Sequence, residues 1–254
     1  MRRPRHSFFE TIEYIGPRPE KPRRGPSFVG GWLLLAIAGT IVFFFGRPLL
    51  PFLKAQQETA TVERADDLIA QLAPSASFGE RLAAAALQRT KAHVTFDPSY
   101  YRIAYPCGDI PSDRGYGPDV IIRSFRVVGV DLQQLVHEDM LANFKVYPQI
   151  YPEREADPNI DHRRVPNLQR FFSRFGDSLP SSRESTDYSI GDLVIWQVGR
   201  DQHIGIVVPG PGARSEERWV VHSLDKRGPV WEDCLFDFEV VGHFRYDGMK
   251  RPGN

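Results

Sequence analysis

The run S-F-V-G-G-W-L-L-L-A-I-A-G-T-I-V-F-F-F-G, Ser27 to Gly46, holds twenty residues without one charge. As a helix rising about 1.5 Å per residue it spans roughly 30 Å, the hydrocarbon thickness of a bilayer. It is apolar on every side, unlike a helix that lies on a protein surface. A cleaved signal peptide has a shorter apolar stretch and a small-residue cleavage site, and neither fits here. The run therefore reads as one membrane-spanning helix, with Trp32, Leu33, Leu34, Ile37, Ile41, Phe43 and Phe44 in the bilayer.

Charge around the run orients it. Arg2, Arg3, Arg5, Arg18, Lys21, Arg23 and Arg24 precede it, and only Arg47, Lys54 and Arg64 follow closely. Basic flanks stay cytoplasmic. The expected localisation is a bacterial inner membrane, with the N-terminus in the cytoplasm and the C-terminal part periplasmic or otherwise outside. Residues 1–26 form a basic, proline-rich tail that cannot bury a core. Residues 47–76 read as a stalk, 77–248 as the extracytoplasmic domain and 249–254 as a short tail. With 32 basic and 32 acidic residues the net charge is zero, which excludes a general nucleic-acid binder. Cys107 and Cys234 lie in the oxidising compartment on this reading, where a disulfide is permitted. Sequence does not supply the geometry that a disulfide needs.

Within the domain the pattern changes from helical to extended. Ser77-x-x-Glu80 predicts a helix start continuing to about Thr90. Pro118 and Asp119 suit the first turn of a second helix, which carries Val120, Ile121, Ile122 and Phe125 and ends near Gly129. Asp131 caps a third, and N-L-Q-R-F-F-S-R-F-G is a fourth, closed by Gly176. Residues 192–198, 203–208, 218–223 and 240–246 are short and β-rich. Helices first and strands second predict an α+β domain, with helices packed on an antiparallel sheet.

That order has a chemical counterpart. A papain-like cysteine hydrolase places a thiol at a helix N-terminus, where the dipole and an imidazole favour the thiolate. The imidazole comes from a neighbouring strand, and a third polar group orients it. The segments S-I-G-D-L-V-I-W, H-I-G-I-V-V and V-V-H-S resemble strand motifs of the NlpC/P60 cell-wall peptidases. The run from about His93 to Tyr246 more closely resembles a bacterial family of that superfamily, domain of unknown function 1287. It shares F-D-P-S-Y, A-Y-P-C-G-D-I-P, D-R-G, D-V-I-I-R, G-V-D-L-Q-Q-L-V-H-E-D-M, D-P-N-I-D-H-R-R-V-P-N-L and V-G-H-F-R-Y. The resemblance implies a papain-like fold, His203 as general base and His222 as its orienting partner.

It implies no nucleophile. The family reads approximately R-G-x-C-T-D-V-V-I-R where this chain reads R-G-Y-G-P-D-V-I-I-R, so the cysteine falls on Gly117 and the threonine on Pro118. Gly117, His203 and His222 are then remnants of a catalytic set. The expectation is a membrane-held pseudoenzyme, an accessory or structural subunit of a larger membrane complex, with membrane subunits and the lipid bilayer as partners. The alternatives are a peptidoglycan peptidase or amidase with a non-standard nucleophile, and a peptidoglycan-binding regulatory module. Cys107 is the substitute thiol such an enzyme would recruit. Asp119, His162 and Arg163 are further cleft candidates. Phe96, Tyr100, Tyr101, Tyr105 and Tyr116 wall a cleft, fill a core or dock a partner. His203 and His222 with Asp119 or Asp225 offer zinc-type donors, but no close H-x-x-x-H spacing supports a site. No metal and no cofactor are expected.

Overall fold

The computed structural model describes Gly16, residues 28–41, Phe43, and residues 62–212 and 216–248. The chain divides into two compact units, Met1–Gln56 and Gln57–Asn254. In the first, α1 runs Phe28–Ile41, fourteen residues inside the predicted span. Trp32, Leu34, Leu35, Ile37 and Phe43 are exposed. Among the described residues no helix is long and apolar enough to cross a membrane. The rest of the expected span, including Phe44, the side chains of Leu33 and Ile41, the tail 1–26 apart from Gly16, residues 47–61 of the stalk and the last six residues lie outside the described residues.

The second unit is an α+β domain. Its helices are α2 (62–72), α3 (Phe78–Arg89), α4 (Gly117–Val127), α5 (Leu132–Asn143) and α6 (Val165–Phe175). Strands β1 (Thr95–Phe96) and β2 (Arg114–Gly115) form a small parallel pair. Strands β3 (Asp177–Ser178), β4 (Leu193–Val198), β5 (Asp201–Pro209), β6 (Arg218–His222), β7 (Val230–Glu232) and β8 (Glu239–Arg245) form one sheet. Its order is β3-β8-β4-β5-β6-β7 and every pairing is antiparallel.

The helix starts follow from their residues. The Ser77 hydroxyl accepts the Glu80 N–H, and Asp131 accepts the Gln133 N–H. Each satisfies a donor that the first turn leaves open. The two sheet faces are covered differently. Leu193, Ile195, Ile204, Ile206 and Phe244 join the helical core around Leu82, Ile121, Phe125, Phe171 and Phe172. Val194, Trp196, Val207 and Val220 pack against Tyr188, Cys234 and Leu235. The second cover is Tyr188, just ahead of β4, together with the loop after β7, so the central strands are buried on both sides and lose polar alternation.

One boundary shifts. The segment read as the end of a stalk docks instead: Ala65, Leu68 and Leu72 of α2 belong to the main core. The packed unit therefore begins before residue 77. The apolar positions that suggested a helix are the ones that bury, and burial against a core stabilises a helix this short better than propensity can.

Candidate functional site

The first turn of α4 is built to hold its opening residues still. Asp119 accepts the Tyr116 N–H at 2.9 Å, which places an acid at the positive end of the helix. Both oxygens of the same carboxylate take a fork from Arg163, at 2.8 and 3.0 Å. Arg163 also donates to the carbonyls of Ser99 and Asp97, and the Tyr116 hydroxyl donates to the Arg163 carbonyl. Asp119 and Arg163 are both buried. A buried pair survives only when its remaining donors and acceptors are filled, as they are here. These residues set the helix start and are unavailable to a ligand.

Gly117 opens α4, and a Cβ built on it would lie 2.9 Å from His203 Cε1, 3.1 Å from His203 Nδ1 and 3.3 Å from the Ser223 carbonyl oxygen. His203 Nε2 lies 3.1 Å from His222 Nδ1. Register explains why the histidines meet. Trp196 pairs with His203 and Gly205 with His222, so these four residues share one face of the sheet. Gly205 is required there, since a Cβ would come 2.4 Å from Val220 Cγ1 and 2.9 Å from the Trp196 ring. Trp196 stacks on His203 with 13° between the rings, and its indole N–H donates to the Leu235 carbonyl. Burial first, and then His222, push His203 down to about 3, and burial lowers His222 as well. Both imidazoles are neutral near pH 7.

The line from position 117 through two histidines has the geometry of a nucleophile, base and orienting group. Its first member has no side chain. Pro118, the next residue, has no N–H to offer the helix N-terminus.

His203 and Ser223 form one wall of a cleft of about 1070 Å³. Phe96, Tyr100, Tyr116 and Tyr151 give it aromatic surface, and Gln197, Gln202 and Arg164 give it polar groups. Of the five aromatics noted in sequence, Phe96, Tyr100 and Tyr116 thus line the cleft. Tyr101 instead donates to Asp97, and Tyr105 packs against His137.

The other candidates fall elsewhere. Cys107 is exposed in a turn whose N–H binds Asp131, and that carboxylate pushes its thiol pKa up. It does not line the cleft. His162 is buried with no partner at Nδ1, outside the cleft lining. The donors of the considered metal set are separately engaged, Asp119 by Arg163 and Asp225 by Arg227. Both cysteines are free. The sequence alone did not point to Trp196, to Tyr151 and the three glutamines of the cleft, Gln169, Gln197 and Gln202, or to the closeness of Cys234 to His222. The E-D-C spacing after Trp231 was the available signal for the last.

Taken together, the geometry defines an α+β domain whose open cleft ends at a buried histidine pair facing a glycine at a helix N-terminus. Residues 83–246 match the family described as domain of unknown function (DUF1287), and the chain belongs to it. It is similar to "Uncharacterized protein YijF" of Escherichia coli (strain K12), with 45% identity over 166 residues, 65% of this chain and 80% of that protein. No solved structure matches.

Proposed function

We propose that the chain is a membrane-anchored pseudohydrolase of NlpC/P60-like fold, without hydrolytic activity, that serves as an accessory subunit of a larger complex in a bacterial inner membrane. The observation that carries this reading is position 117. His203 Nδ1 is 3.1 Å from where a side chain would begin, and glycine provides none. A base with no nucleophile beside it cannot start acyl transfer. The anchor rests on the uncharged run Ser27–Gly46, and a periplasmic domain rests on the basic residues before it.

The decisive experiment is isolation of the full-length protein from its native membrane in mild detergent, with mass spectrometry of what accompanies it. Stoichiometric integral membrane partners are the expected result. A lone chain overturns the subunit reading. Incubation with purified peptidoglycan sacculi tests the chemistry, and no soluble muropeptides are expected. Release that disappears in His203→Ala would establish an enzyme instead. Such an enzyme would need a nucleophile other than Cys107, which lies outside the cleft lining.

A second reading is favoured by the cleft itself. About 1070 Å³ lined with aromatic and amide side chains suits an extended peptide or glycan chain. A peptidoglycan-binding regulatory module would co-sediment with sacculi, and Tyr151→Ala would weaken that retention. The subunit reading predicts no retention in either protein.

A further inference from the structure

His222 uses one ring nitrogen for His203 and turns the other toward two different donors. His222 Nε2 lies 3.3 Å from Cys234 Sγ and 3.5 Å from Glu232 Oε2. One donor atom from each of the three residues lies within 4.8 Å of the others. We propose that His222, Glu232 and Cys234 form a binding site for a thiophilic divalent cation of the zinc class, with the fourth position open to water.

Three features point to a cation rather than to a chain of hydrogen bonds alone. The first is the donor set. One imidazole, one carboxylate and one thiolate are the three ligand types zinc takes, and two anions offset its charge. The second is spacing. Zinc bond lengths of about 2.0–2.3 Å put tetrahedral ligand atoms roughly 3.3–3.7 Å apart, and the two contacts of His222 Nε2, at 3.3 and 3.5 Å, fall in that range. The third is support behind the ligand. A metal-bound histidine holds its other ring nitrogen in a hydrogen bond, as His222 Nδ1 does with His203 Nε2 at 3.1 Å. His222 and Cys234 are buried, while Glu232 is partly exposed and leaves a way in from solvent. Arg227 holds Glu232 by its Oε1, leaving Oε2 toward His222.

The cation would also act on the cleft. Binding at His222 Nε2 leaves the ring proton on Nδ1, which donates to His203 Nε2. His203 then carries its own proton on Nδ1, aimed at position 117. Loaded, the pair presents a hydrogen-bond donor to the cleft and not a base. Binding releases the Cys234 thiol proton to solvent, because the thiolate is the ligand.

The test uses the full-length protein in mild detergent and Co²⁺ as the probe. One equivalent should produce the near-ultraviolet absorption of a thiolate–cobalt bond, and Zn²⁺ should displace it. Cys234→Ser should abolish the band with far-ultraviolet circular dichroism unchanged, and Cys107→Ser should keep it. Glu232→Gln should weaken Co²⁺ binding by roughly tenfold or more. Elemental analysis of the protein as purified should find about one zinc per chain, lost in Cys234→Ser. No band at saturating Co²⁺, a band that follows Cys107, or unchanged affinity in Glu232→Gln would overturn the site.

Discussion

Gly117 leaves His203 facing a space slightly smaller than the side chain it lacks. A Cβ there meets the imidazole at 2.9 Å, so a cysteine introduced there displaces the ring by a few tenths of an ångström. Overpacking a fixed site costs about 1–3 kcal/mol. In a Cys107→Ser background, Gly117→Cys should lower the unfolding midpoint modestly. Its thiol should still react with iodoacetamide faster at neutral pH than Cys107 does in the native chain, because it would sit at a helix N-terminus beside an imidazole. Equal rates would mean that the histidine does not act on that position.

Two neighbouring buried groups make a second prediction, about pH. Burial first, then Arg126 and Arg163, push His162 down to about 3, and burial pushes Asp161 up to about 7. Between about pH 3 and 6.5 the unfolded chain holds the His162 proton more readily, so this residue's contribution is complete above the upper limit and lost as pH falls. Asp161 works in the opposite sense: its contribution is complete below about pH 4 and lost as pH rises toward 7. Relative to the native chain, His162→Gln should flatten the acid loss of stability between pH 4 and 6.5, and Asp161→Asn should steepen it. Each change in slope is at most about 1.4 kcal/mol per pH unit. Denaturant midpoints across that range check both, and a change of the same sign in the two variants would refute the assignment.

Among the elements, α2 separates a stalk from a domain. Leu68 and Leu72 are buried in the main core, so Leu68→Ala should cost about 2–5 kcal/mol. A chain beginning at residue 77 should melt lower than one beginning at 57, and equal melting would restore the stalk. The same helix shows how far sequence carries. Its apolar positions were visible, but their partners were not, since nothing in 62–72 says which surface it meets. Helix starts were legible at Ser77, Pro118 and Asp131 because capping is local chemistry. Four of the six strands of the main sheet were legible by composition. β3 and β7 were not, since two or three residues carry no period. The histidine pair was expected from a resemblance. The fork between Asp119 and Arg163 spans 44 residues, and its role as scaffold came only from the fold.

For the whole molecule, the side of the membrane on which the domain lies has a built-in reporter. Cys107 is exposed and Cys234 is buried among Val194, Trp196 and Val207. One native thiol therefore answers to reagents in solution, and it belongs to the domain, not to the apolar run. The excess of basic residues before that run predicts a domain outside the cytoplasm. A membrane-impermeant maleimide should label intact spheroplasts carrying the native protein and should not label Cys107→Ser. Asp131 raises the Cys107 thiol pKa, so the reaction should quicken as the medium is made more alkaline. Labelling that requires lysis would put the domain in the cytoplasm. Peptidoglycan would then lie beyond its reach, and a partner on the inner side would have to be sought. Labelling before lysis would place the cleft and its histidine pair where cell-wall chains and the outer faces of membrane subunits can both meet it. Sedimentation with sacculi and isolation from the native membrane would then decide between those two.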